Sequence, residues 1–208
     1  MNRYALILLP LTLSLTLAAC GGGNPLRVKR SPCPAVGVLG NAGSVTLFNP
    51  TESRDANAID VVASITNLRP LCNDNGRQVV TNARFDVIAQ RRDTAGTRTI
   101  TLPWMAVVVR AGDQLQSKQV GWVSLTFEDG QARTQASASL TSSIDSNATQ
   151  LPTEVQLRIN RKRKAGDADA ALDPMAAPEV KAALKEANFE LLVGFQLDEA
   201  GLAYNITR

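Results

Sequence analysis

Apolar residues follow three different patterns along the chain, and each predicts a different kind of structure. Ala5 to Ala19 is an almost unbroken apolar run behind Met1-Asn2-Arg3-Tyr4, a positive head on a stretch too short to cross a bilayer comfortably as a helix. From Ala35 to about Lys162, short apolar stretches are broken at intervals of roughly ten to fifteen residues by Gly, Asn, Asp or Pro, which is the rhythm of an all-β sandwich or barrel. Beyond Lys164 the composition turns to Ala, Asp and Pro before a final alternating segment.

The middle region predicts about eight strands. Val36 to Leu39 and Ser44 to Phe48 flank Gly40-Asn41-Ala42-Gly43, a good hairpin turn. Ile59 to Ile65 alternates, and Gln78 to Arg91 sets Phe85, Val87 and Ala89 on one face against Asp86, Ile88 and Gln90. Thr97 to Leu102 and Met105 to Arg110 are separated by Pro103, which cannot donate to a ladder and predicts a bulge, bend or edge. Gln119 to Phe127 and Gln131 to Thr141 flank the turn Glu128-Asp129-Gly130, and Val155, Leu157 and Ile159 alternate as a further strand. Pro178 to Asn188 predicts one short helix with proline in its first turn. Phe189 to Leu197 then alternates strongly, Asp198 to Gly201 turns the chain, and Leu202, Tyr204 and Ile206 run back as the second arm of a closing hairpin.

Composition narrows the chemistry. The 208 residues are 44% hydrophobic and 4% aromatic, so the core is aliphatic, and there is no histidine. That removes Ser-His-Asp and Cys-His catalysis and the commonest zinc ligand. Glu128-Asp129 and Asp198-Glu199 fall in turn signals, which argues against a carboxylate pair for glycoside hydrolysis. Asn73-Asp74-Asn75-Gly76 and Asp167-Ala168-Asp169 lack the spacing of a calcium loop, so neither a metal nor a cofactor is expected. Arg161 to Lys164 is the densest run of charge. Yet 22 basic residues against 19 acidic ones are too balanced for a nucleic-acid protein. Trp104 and Trp122 are expected in the core or on a sheet face.

Leu17-Ala18-Ala19-Cys20 followed by Gly21-Gly22-Gly23-Asn24 resembles the lipobox of bacterial lipoproteins. The resemblance covers about twenty residues and implies a signal peptide over 1–19, cleavage behind Ala19, and acylation (palmitate and related chains) on the sulfur and amine of Cys20. Several acyl chains would hold the protein on a membrane almost permanently. Gly21 in place of the aspartate that retains such proteins in the inner membrane implies the outer membrane, facing the periplasm. Residues 20–32, with three glycines and two prolines, are then a lipidated N-terminus and flexible tether, and residues 33–208 a single domain. In an oxidising periplasm the remaining pair, Cys33 and Cys72, is expected to form a disulfide.

The domain resembles, at the level of fold, the immunoglobulin-like antiparallel β-sandwiches of many envelope proteins, with one short helix near the C-terminus. The expectation is a non-enzymatic module that binds or scaffolds other cell-envelope proteins, in contact with the membrane through its lipid and with no nucleic-acid partner. The alternative is a ligand carrier or an enzyme using carboxylates. A scaffold should show an exposed apolar strip or unpaired strand edge, a carrier or enzyme a deep pocket with convergent polar groups.

Overall fold

The computed structural model describes residues 30–164 and 166–207. The expected signal peptide, Cys20 and all but the end of the expected tether lie outside these residues. Among the described residues the strands are β1 (Ala35–Val38), β2 (Ser44–Phe48), β3 (Ile59–Asp74), β4 (Gln78–Arg91), β5 (Arg98–Arg110), β6 (Gln114–Phe127), β7 (Arg133–Asp145) and β8 (Phe189–Phe195). The helices are α1 (Thr153–Asn160), α2 (Pro178–Glu186) and α3 (Glu199–Thr207), none long and apolar enough to cross a membrane.

The expected mainly β sandwich is the observed fold. One sheet has the order β1-β8-β5-β6 and the other β2-β3-β4-β7. Pairing is antiparallel except between β1 and β8, which run parallel. Alternation sets the core: Val61, Ala63 and Ile65 of β3 and Phe85, Val87 and Ala89 of β4 face Ile100, Leu102 and Trp104 of β5, Leu125 and Phe127 of β6, and Leu191 and Val193 of β8. Trp104 meets Phe85 edge to face at 5.5 Å and lies over Gly121, where a Cβ would come within 2.3 Å of its ring. A glycine there makes room for the indole inside the sandwich.

Four expectations are corrected. Residues 40–43 do not join a hairpin, because β1 and β2 belong to different sheets. Their loop, with Asn41 at φ 59°, crosses between the sheets and docks on β8 through Phe195 N–H to the Ala42 carbonyl, 2.7 Å. Val155 to Ile159 is helix, not strand: Val155 and Ile159 point inward one turn apart, and Leu157 is left exposed. The second arm of the closing hairpin is α3. Asp198 Oδ1 accepts the Gly201 N–H at 2.7 Å as an N-cap, and the alternating Leu202 and Ile206 are exposed. The molecule therefore has three helices among the described residues where one was expected. Finally, Pro103 sits within the continuous strand β5 rather than at a break, and the irregularity lies at Val108/Val109. Pairing with β8 begins at Trp104, and the Pro103 carbonyl accepts from Gln196 just past the end of β8, 2.9 Å. Its nitrogen points the same way, to where the ladder needs no donor.

Candidate interaction surface

Each sheet has two edges, and their lengths and covers differ. β1 is four residues long. β2 is five and is covered by α3, through Tyr204 edge-on to Phe48 at 5.1 Å and Asn205 Nδ2 donating to the Ser44 carbonyl at 2.8 Å. β7 is long, but it presents Ser137, Ser139, Thr141 and Ser143 and no exposed large apolar residue. The edge of β6 is different. Over its 14 residues it carries a single charge, Lys118, and Trp122, Leu115 and Val120 are 68%, 61% and 41% exposed.

The geometry of β6 follows from its alternation. Gly121, Val123, Leu125 and Phe127 face the core, so Val120, Trp122, Ser124 and Thr126 face outward. Across β5, Trp122 pairs with Pro103 and Val120 with Met105, which makes a continuous apolar patch on the outer face beside the edge. The main-chain direction is also fixed. Thr134 Oγ1, from β7, donates to the Thr126 carbonyl at 2.7 Å, so that carbonyl points away from β5. N–H and C=O directions alternate along a strand; hence Ser124, Trp122, Val120 and Lys118 turn their main-chain groups to the open side. The hydroxyl pairs Thr99–Thr126 at 2.9 Å and Thr101–Ser124 at 3.1 Å fit the closer side-chain approach of non-hydrogen-bonded positions. A bulge opposite Val108/Val109, with Gln116 as the extra residue, ends the regular edge on one side, and β7 closes it on the other.

A competing feature among the described residues is a cleft of about 370 Å³ between the N-terminal entry and the helices, lined by Arg30, Asp74, Ser146, Thr149, Gln156 and Asn160 among others. Its one carboxylate, Asp74, accepts from Ser146 Oγ at 2.7 Å and from the Gly76 N–H at 2.9 Å. These hydrogen bonds, Ser146 first, hold it below the usual carboxylate range, and no second carboxylate lines the cleft. Arg30 closes the cleft, donating to the Thr149 carbonyl at 2.7 Å and to that of Ala187. These contacts begin three residues before the expected domain boundary.

Of the residues singled out from sequence, Cys33 and Cys72 are bonded, with Cα atoms 6.1 Å apart. Asn73 and Asp74 end β3, and the turn into β4 is residues 75–77, where Asn75 Oδ1 accepts from the Arg77 and Gln78 N–H groups. Asp129 Oδ1 accepts from the Gly96 N–H at 2.7 Å, which links two neighbouring turns. Within the basic run, Arg161 and Arg163 pair with Asp169, whose carboxyl is held low chiefly by Arg161. Trp104 is core and Trp122 lies on the sheet face. Among the described residues no group of three or more Cys, Asp or Glu side chains comes together to hold a metal. The β6 edge is not assigned from sequence: Trp122 is visible there as a sheet-face residue, but an edge exists only once the strand order is known.

Compared with protein-family models, curated proteins and solved structures, the chain matches none.

Proposed function

We propose that the protein is a lipoprotein anchored through Cys20 to the outer membrane, facing the periplasm, whose sandwich is a non-enzymatic binding or scaffolding module of the cell envelope. The observation that carries the binding role is the open β6 edge, with outward main-chain groups at Lys118, Val120 and Trp122 beside the apolar patch of Trp122, Val120, Pro103 and Met105. Such an edge supplies hydrogen bonds to an added strand and side-chain pockets for selectivity. Native sheets usually blunt a long edge of this kind with charges, prolines or covering elements. The anchor rests on Leu17-Ala18-Ala19-Cys20, and the Cys33–Cys72 bridge suits an oxidising compartment.

A photo-crosslinking amino acid in place of Trp122, in cells making the full chain, tests the edge. Discrete protein adducts are expected there and not from Arg77, a surface position at the other end of the strands. Equal or absent adducts at both would overturn the binding role. In the same cells Cys20→Ser should leave a larger precursor that takes up no labelled palmitate; continued labelling would overturn the anchor.

A further inference from the structure

We infer that the partner of the β6 edge is the β6 edge of a second copy, paired antiparallel about a two-fold axis at Val120. The two β1-β8-β5-β6 sheets would then form one continuous sheet across the dimer. This inference rests on the proposal that the β6 edge is the binding surface, and it names the occupant.

Three properties of the strand lead to that register. The first is main-chain direction. Lys118, Val120 and Trp122 turn their N–H and C=O outward, as the Thr134 contact at Thr126 fixes, and an antiparallel pair forms its two-bond rings only between residues whose groups both point across. A two-fold axis at Val120 satisfies this at once, setting Val120 opposite its own copy and Lys118 opposite the second copy's Trp122, twice over.

The second property is charge. Lys118 is the single charged residue of β6, so the choice of axis decides what that ammonium meets. An axis at Lys118 would place two ammonium groups directly opposite one another, which is destabilising. An axis at Trp122 would set Lys118 against Thr126, whose carbonyl already accepts from Thr134 of β7. The axis at Val120 instead sets each Lys118 against an indole 68% exposed in the free subunit, the favourable cation–aromatic arrangement.

The third is length and shape. Val120 stands at the middle of Gln114–Phe127, so this register overlaps the two strands most fully. On the inner face it pairs Gly121 with the second copy's Gln119, leaving room where the sheets turn toward each other. The apolar patches on the outer face then run together across the axis through the two Val120 side chains.

Single cysteines in the full chain, made in cells, read the register directly. Hydrogen-bonded antiparallel partners have Cα atoms about 5.5 Å apart, within disulfide reach, whereas residues on the two strands displaced by four positions are about 14 Å apart. Val120→Cys should therefore give a disulfide dimer at least fivefold stronger than the unsubstituted chain. Lys118→Cys and Trp122→Cys should each give little alone, yet crosslink when two differently tagged copies carrying them are made together. A monomeric Val120→Cys, or Trp122→Cys crosslinking to itself as strongly, would overturn the inference. If Val120→Cys stays monomeric while the crosslinker at Trp122 captures a different protein, the second copy is wrong and the edge remains the binding surface. If neither variant finds a partner, both readings fail.

Discussion

Arg91 is a buried cation neutralised by dipoles rather than by an acid. It is 2% exposed, and its guanidinium donates to the carbonyls of Gln131, Gly96, Thr94 and Glu128 at 2.7 to 2.9 Å, with its Cζ 5.2 Å from the centre of the Phe127 ring. One side chain thus ties the β4–β5 turn to the β6–β7 turn and closes that end of the sandwich. The inward parity of Phe85, Val87 and Ala89 continues to Arg91 in the sequence, so its burial is legible there. Its partners are not, because four carbonyls from two turns meet only when the sheets stack. Asp86 is a parallel case on the outer face. Asn67, at φ 52°, and Ser137 both donate to it at 2.6 Å, and these bonds, Ser137 first, hold its carboxyl below the usual range. For Arg91→Met the four carbonyls lose their donor, and each buried unsatisfied group costs roughly 1–3 kcal/mol. Allowing for water entering at the sandwich end, a loss of about 3 kcal/mol or more is expected in urea denaturation at neutral pH. A loss under about 1 kcal/mol would show that water replaces the guanidinium fully.

At the scale of elements, strands whose alternation is buried were legible, and segments whose alternation faces solvent were misleading. The predicted range Gln78 to Arg91 coincides with β4 because one face of it is core along its whole length. Val155-Leu157-Ile159 and Leu202-Tyr204-Ile206 also alternate, but Leu157, Leu202 and Ile206 are exposed, so no sheet face rewards the pattern. Local signals then decide: Glu154 in the first turn of α1 and the Asp198 cap of α3. This divides the C-terminal segment into two parts of unequal weight. β8 lies between β1 and β5, with Phe189, Leu191, Val193 and Phe195 buried, and burying side chains of this size is worth about 1.5 to 3 kcal/mol each. α3 covers the edge of β2 and is tied by Asn205 Nδ2 to the Asn41 carbonyl in the loop before it, 2.8 Å. A chain ending at Leu197 should keep a cooperative thermal transition at a lower midpoint. One ending at Asn188 should show none, since the lost burial rivals the whole net stability of a domain. A cooperative transition in the shorter chain would mean the sandwich closes without its central strand.

At the scale of the whole molecule, the pairing of strands across sheets is what the sequence conceals, since Gly40 to Gly43 has the chemistry of a turn whether it joins partners or crosses between layers. The Cys33–Cys72 bridge is the exception. Its existence was legible from the two cysteines left in a chain expected to be exported, and its place gives the N-terminal entry its strength. Without it, that entry would be held by Arg30 and by the four register pairs of β1 on β8. With it, Cys33 is fixed to Cys72 near the end of the 16-residue strand β3, where β3 is paired with β4 through Thr81. Any pull arriving from a membrane anchor at the N-terminus would therefore pass into the long β3–β4 ladder before reaching the short strand β1. The bridge spans a sequence separation of 39, for which the loss of unfolded-chain entropy corresponds to about 4 kcal/mol. Replacing both cysteines with serine should lower stability by about that amount while leaving the transition cooperative, because the core residues of both sheets are untouched. The same variant should be cut by protease first between Arg30 and Gly43, where β1 and its flanking loops have lost their tie. Unchanged stability, or first cleavage elsewhere in the sandwich, would show that β1 and Arg30 suffice to hold the entry.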